Sequence, residues 1–407
     1  MLALPAGAQD ALREAFSGSP APVELRRRLA LLPADDLARL FRLAVEARLE
    51  LGQEGEVLPL DDARLEAVRA ALAGRPRREL VTFLEGLSRA PLELRERLEA
   101  HRVFSSAAGA EHLRLLVRLS LAPGEGLPPQ ELRTSFVTTL ASVLARDSQA
   151  LEQVPALFAE SPPALASSVI EAVATLEGPR ATQVLARLLG RVPGLDGLLL
   201  GRLAQRNESA DLCDEFVLDG LRRYLEHGTP VLAVAACRAA AALGDDGSIE
   251  ALIALLEHEE ERVRSAASEA LQDLSGLAFG LDVERWASWF QAESTWWSEH
   301  ADAELARIEA ARGQEYVRAA RSVLEHRLHR DRIAEAFVQA LGRRDADEVW
   351  LACRALGELR SRIAVPALIE CLERDQKPVR EAAWRALRAI TGADLPPEVA
   401  SWVRFAS

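Results

Sequence analysis

Apolar and polar positions follow one another with the period of an α-helix along most of the chain. In 132–144, Leu132, Phe136, Val137, Leu140, Val143 and Leu144 fall at i, i+4, i+5, i+8, i+11 and i+12, one face of a helix. In 263–274, Val263, Ala266, Ala267, Ala270, Leu271 and Leu274 do the same. Ile249, Leu252, Ile253 and Leu256 form a shorter face of this kind. Turn signals break the pattern at Pro33-Ala-Asp, Gly178-Pro179, Pro193-Gly194, Gly228-Thr-Pro230 and Gly244-Asp-Asp-Gly247. No run of Val, Ile or Thr alternates at period two, so strands are not expected. Helix after helix with short breaks predicts an all-α chain.

The pattern also repeats. A shift of 116 residues lays 236–276 on 352–392 without a gap. Ala236-Cys237-Arg238-Ala239 meets Ala352-Cys353-Arg354-Ala355, and Ala251-Leu252-Ile253 meets Ala367-Leu368-Ile369. Val263-Arg264, Ala266-Ala267, Ala270-Leu271 and Gly276 meet Val379-Arg380, Ala382-Ala383, Ala386-Leu387 and Gly392. The register runs on, with Trp286 on Trp402. A fainter echo at a shift of 67 sets Leu176, Leu185, Leu188 and Leu189 on Leu243, Leu252, Leu255 and Leu256. A lone helix pair cannot bury its apolar face; stacked pairs build a shared core. The alanines then let helices approach closely while the leucines fill the space between layers.

These stretches resemble HEAT and HEAT-like (phycobilisome-lyase type) repeats. The residues that carry the likeness are Val263-Arg-Ser-Ala-Ala-Ser-Glu-Ala-Leu271 and Val379-Arg-Glu-Ala-Ala-Trp-Arg-Ala-Leu387, each preceded by a helix and a tight turn. The resemblance implies an α-α superhelix, a solenoid of antiparallel helix pairs, over roughly 130–290 and 331–407. Residues 1–125 read as a less regular helical region. The expected division is 1–125, a repeat block at 126–291, connecting helices with a Trp-rich junction at 292–330, and a second block at 331–407. Leu121-Ala-Pro-Gly-Glu-Gly-Leu-Pro-Pro129 is the expected linker, and Gly52–Glu56 an expected loop.

Composition narrows the function. The net charge of −13 argues against a nucleic-acid groove over most of the surface, because phosphates require clustered cations. Lys377 is the single lysine; this arginine bias reads as the mark of a GC-rich bacterial genome. Four cysteines (Cys213, Cys237, Cys353, Cys371), with no CxxC, make no disulfide framework and suit a reducing compartment. No apolar run is long enough to span a bilayer, and Met1–Pro5 has no basic leader region. A cytoplasmic protein without membrane contact is therefore expected.

Candidate contact residues are few. Trp286, Trp289, Trp296 and Trp297 crowd one short stretch with Phe290. They suit either a packing plug between blocks or a hot-spot patch for a partner, where Trp is enriched. Arg264 and Arg380, each after the repeat's valine, suit either a carboxylate or carbonyl of a neighbouring repeat or an outside ligand. Trp384, replacing Ser268 of the other block, is a contact if it points outward. His326 and His329 sit three apart, a spacing metal sites use, but Arg327, Arg330 and Arg332 oppose a cation there. A solvated basic helix face is the expectation for them. Cys237 and Cys353 read as small buried hydrophobes. No nucleophile elbow, phosphate loop or dinucleotide loop occurs.

The chemistry supports no catalytic, metal or cofactor site. The expected function is a non-enzymatic scaffold or adaptor that binds a protein partner with a basic surface. The resemblance leaves a second direction: a bilin lyase or chaperone subunit, or a DNA glycosylase built from HEAT-like repeats. Deoxyhypusine hydroxylase, a HEAT-like enzyme that holds iron on repeated His-Glu pairs, is matched by His258-Glu259 alone, with Arg374-Asp375 at the equivalent place.

Overall fold

The computed structural model describes residues 22–32, 41, 62–89, 92–107, 109–121, 128–206 and 215–406. Every regular element among them is helical. The expected loop at Gly52–Glu56, most of the expected linker at 121–129, the turn at Pro33 and Cys213 lie outside the described residues. The chain divides into two compact units, Met1–Leu195 and Asp196–Ser407. This division falls inside the 126–291 stretch that the sequence pattern groups together.

The first unit holds α1 (Pro22–Leu29), α2 (Asp62–Ala73), α3 (Arg77–Ser88), α4 (Leu94–Ala107) and α5 (Leu113–Ser120), then α6 (Gln130–Arg146), α7 (Ser148–Glu160), α8 (Pro163–Ala174) and α9 (Pro179–Arg187). The predicted face of α6 is buried at Leu132, Phe136, Leu140, Val143 and Leu144. It packs between α4 and α8, as stacked pairs require. His101 on α4 is enclosed here between the hydroxyls of Ser120 (2.9 Å) and Ser135 (3.1 Å). Burial, with Arg97 adding repulsion, pushes its pKa down to about 3, so the ring stays neutral.

The second unit holds α10 (Asp196–Leu203), α11 (Glu215–His227), α12 (Pro230–Leu243), α13 (Ile249–Leu255), α14 (Glu261–Ser275), α15 (Val283–Glu299) and α16 (Ala301–Ala310). It continues through α17 (Gly313–Leu324), α18 (Arg330–Leu341), α19 (Ala346–Leu359), α20 (Val365–Cys371), α21 (Lys377–Thr391) and α22 (Val399–Ala406). The repeat inferred from sequence is reproduced to the residue. Helices α12, α13 and α14 begin and end 116 positions before α19, α20 and α21. The single 3₁₀ turns at Asp246–Ser248 and Arg362–Ala364 keep the same offset. We call 230–276 the first module and 346–392 the second.

In both modules the first and third helices pack face to face and the short middle helix closes the third side. Ala266, Ala267 and Ala270 are 4, 0 and 2% exposed; Ala382, Ala383 and Ala386 are 4, 0 and 3%. Small side chains at these contacts bring the helix axes close, and Leu252, Leu271, Leu368 and Leu387 fill the interior completely. Cys237 and Cys353 are fully enclosed at equivalent places. Burial pushes the Cys237 thiol up to about 12, and a hydrogen bond to Cys371 together with burial raises that of Cys353. Neither is activated as a nucleophile. The third helices end alike, on Gly276 and Gly392 in the left-handed conformation (φ 72° and 71°). No helix among the described residues is long and apolar enough to cross a membrane.

Candidate functional site

The two arginines that follow the repeat valine point inward, to the backbone of their own module. Arg264 Nη1 donates to the carbonyls of His258 and Glu259, both at 2.8 Å. Arg380 Nη1 donates to those of Arg374 (2.8 Å) and Asp375 (2.7 Å), the same positions one repeat later. Each guanidinium closes the turn between the middle and third helices, where carbonyls past the helix end lack intrahelical partners. Of the two expectations for these residues, the carbonyl role is the one formed, though within a module and not across to a neighbour. Arg343 and Arg374 do similar work between helix pairs. Arg343 reaches the carbonyls of Ile308 (2.5 Å) and Glu309 (2.9 Å), and Arg374 those of Leu341 (2.5 Å) and Arg343 (3.2 Å).

The tryptophans divide. Trp286 is fully buried and its Nε1 donates to Gly280 O at 3.0 Å. Its counterpart Trp402 is equally buried and donates to Pro396 O at 2.9 Å, six residues back in each case. Of the two expectations for Trp286, its burial at the end of a module suits the packing plug. Trp289 meets the Trp286 ring edge-on at 5.7 Å and is half-buried.

Trp296 and Trp297, at the end of α15, pack at right angles to each other (5.2 Å) and are half-buried against the core that runs from Leu305 to Trp402. The His326 ring stacks on Trp296 at 3.6 Å, and His329 meets Trp297 edge-on at 4.6 Å. Buried Glu293 binds His326 Nδ1 (3.3 Å) and the Arg327 amide (3.4 Å). Asp246, in the first module's turn, accepts from the His329 amide at 2.6 Å. Arg330 donates to Leu274 O at the end of α14.

The histidines therefore do not lie on a helix face. Residues 325–329 form the turn between α17 and α18, with His329 at a left-handed φ of 51°. Their role is to fasten that turn to the tryptophans and to the first module. Burial, with Arg332 adding repulsion, lowers the His329 pKa, so the neutral ring is favoured against Trp297. Among the described residues no group of three or more His, Cys, Asp or Glu could hold a metal. His258 Nδ1 accepts from the Glu260 amide at 3.0 Å, a local turn contact.

Trp384 is half-buried on α21, and its Nε1 donates to Leu395 O at 2.7 Å. Ser268, at the same place in the first module, holds Gly280 O at 3.0 Å. The tryptophan therefore takes over the serine's loop-fastening bond while adding a ring, over which the Arg388 guanidinium lies at 4.9 Å.

Sequence reasoning missed Glu348. It is buried and accepts from the Gly313 amide (2.6 Å) and from Arg343 Nη1 (3.0 Å). Glu348 and Arg343 line a polar cleft of about 580 Å³ with Glu309, Arg312 and Arg344. The spacing Arg343-Arg-Asp-Ala-Asp-Glu348 was available as a signal, but carboxylates near helix starts are common for capping alone. Asp345 does cap α19, through the amides of Asp347 and Glu348.

With this geometry in view, the class of protein is an α-α repeat protein whose internal arginines and alanines serve the stack. Residues 218–279 and 334–404 match the family model for HEAT repeats, and both segments are HEAT repeats. No curated protein matches the chain. Human deoxyhypusine hydroxylase in complex with glycerol is similar at 18% identity over 63% of this chain and 94% of its own (TM-score 0.26). An engineered protein, OR497, shares 16% identity over 94% of this chain and 98% of its own (TM-score 0.28). The karyopherin Kap121p bound to the extreme C-terminus of the protein phosphatase Cdc14p shares 10% over 94% of this chain and 48% of its own (TM-score 0.40). Likenesses this loose carry over no property of those proteins.

Proposed function

We propose that the chain is a non-enzymatic scaffold that binds another protein through the exposed rows of its repeat helices. One observation carries this reading. The two modules keep most of their buried positions in register, and most of their differences fall at positions that are not buried. A shape held constant while its outer residues change is what a repeat array offers a partner. The half-buried Trp289, Trp296, Trp297 and Trp384 supply the large apolar surface that contact sites favour. The inward bonds of Arg264 and Arg380 and the burial of Trp286 support a framework role for those three.

Affinity purification from the native cell followed by mass spectrometry tests the proposal. One or a few proteins should copurify in near-stoichiometric amounts and elute with salt. Recovery of the chain with nucleic acid, or with a bilin detected by its absorbance, and with no protein partner would overturn it.

A further inference from the structure

The outer row of α21 differs in charge from the matching row of α14. On α14 the outward positions are Glu261, Arg262, Ser265, Glu269, Gln272 and Asp273. On α21 the same positions are Lys377, Pro378, Glu381, Arg385, Arg388 and Ala389, all exposed. Over the whole modules, three basic residues face nine carboxylates in the first, and eight face seven in the second. The backbone is the same, so the difference lies in the side chains alone.

The cations on α21 are only lightly engaged. Lys377 (78% exposed) and Arg385 (73%) share the single carboxylate of Glu381, at 3.8 and 3.7 Å. Arg388 pairs with Asp394 (81% exposed) at 2.7 Å while lying over the half-buried Trp384 ring. Exposed pairs of this kind contribute little and exchange readily. The row thus offers three cations beside an aromatic plate.

We propose that this row is a docking face for an acidic peptide segment of a partner protein. The idea rests on the scaffold reading above and names the chemistry that one of its surfaces selects. Discrete carboxylates spaced along a peptide can meet Lys377, Arg385 and Arg388 and leave Glu381 facing a gap. A nucleic-acid backbone brings closely spaced phosphates, and Glu381 in the middle of the row together with Asp394 at its end would oppose it. Trp384 gives an apolar or aromatic side chain of the peptide a surface to cover, with Arg388 above the ring.

The probe is a fluorescein-labelled dodecapeptide whose aspartate and glutamate residues are spaced by serines, with one central phenylalanine, titrated with the whole chain at low salt by anisotropy. Saturable binding is expected, weakened as salt rises. The triple variant K377E/R385E/R388E should lose at least tenfold in affinity with an unchanged melting curve. R318E/R321E, which reverses two exposed charges on α17 against three in the triple variant, should bind as the parent does and so control for a general loss of positive charge. Two results overturn the proposal: equal binding by the triple variant, or a twelve-nucleotide single-stranded RNA that binds as tightly and is lost with the same three substitutions. If native protein partners still copurify undiminished with the triple variant, this face is not their site, yet the scaffold reading stands.

Discussion

The first and second modules are the same object built twice, and where they differ is informative. Ala233, Ala236, Cys237, Ala239 and Leu243 are enclosed at one end of the comparison; Val349, Ala352, Cys353, Ala355 and Leu359 at the other. Interior changes are mostly of a methyl group or two, as from Ala233 to Val349, but fully buried Ala240 is matched by the larger, fully buried Leu356, next to Gly357 where the first module has Ala241. Exterior positions accept reversal of charge, because water solvates either sign. A buried polar site shows a third behaviour. At the turn after the first helix, Asp245 (1% exposed) is held by Arg222 Nε (3.0 Å) and Nη2 (2.5 Å) and by Ser248. The second module has Ser361 there (3% exposed), bonded to Asp331 at 2.5 Å. The need for a satisfied polar group persists, while the partners that satisfy it are exchanged.

The most damaging test of this equivalence is overpacking. Ala267 and Ala383 are both fully buried against the facing helix. Replacing either with Trp should cost about 3 kcal/mol or more, with similar falls in melting temperature. If both variants melt like the parent, the shared packing is wrong.

The two turns should separate next. Asp245→Ala takes away the carboxylate that Arg222 binds through two nitrogens; the Arg222 side chain is 18% exposed and also pairs with Asp219 at 3.5 Å. We expect a loss of about 2–3 kcal/mol in urea unfolding, below that of a fully enclosed broken pair because Arg222 keeps some water. Ser361→Ala removes one hydrogen bond to the Asp331 carboxylate and should cost about 1.5 kcal/mol. Equal losses would mean that Asp245 does no more than a serine.

A third contrast lies between the helices. Gly357 on α19 sits where a Cβ would come within 3.0 Å of Ala386 Cα and 3.1 Å of its Cβ on α21. The first module has Ala241 at that position. Gly357→Val should therefore destabilise by about 1–3 kcal/mol through forced separation of α19 and α21, and Ala241→Val by less. Urea midpoints of the two single variants check the order.

These contrasts also show what the sequence could reveal. Period and repeat specify the modules because each buried face needs several apolar residues in fixed register, a signal spread over tens of positions. The end plugs Trp286 and Trp402 were equally legible as a pair, since they keep the same offset. Single tertiary bonds leave no such trace. Nothing near His326 and His329 marks a turn: no Gly or Pro occurs in 325–331, and a histidine takes the left-handed position that glycine usually holds. Likewise, residue type alone leaves Arg264 and Arg380 open to a carboxylate or carbonyl of a neighbouring repeat, the favoured reading, or to an outside ligand, because a guanidinium serves each. Only the folded turn brings the two carbonyls within its reach.

The smallest effect is the cleanest, because it concerns one backbone angle. The first helix of each module ends in the left-handed conformation, on Gly244 (φ 70°) in the first and on Arg360 (φ 54°) in the second. A Cβ in that region meets the following carbonyl, a cost of about 1 kcal/mol that glycine avoids. Nothing lies within 4 Å of a Cβ built at Gly244, so a side chain there meets no clash and the backbone conformation is its main cost, while Arg360 also faces repulsion from Arg330. Arg360→Gly should then stabilise the chain by about 0.5–1 kcal/mol, less whatever glycine adds to the entropy of the unfolded state. Gly244→Arg should destabilise it by a similar amount. Measured together by urea denaturation, the reciprocal exchange should nearly cancel in the double variant, since the two sites share no side-chain partner. A large residual would show that Arg360 is kept for a contact of its own and that the two helix ends are not equivalent.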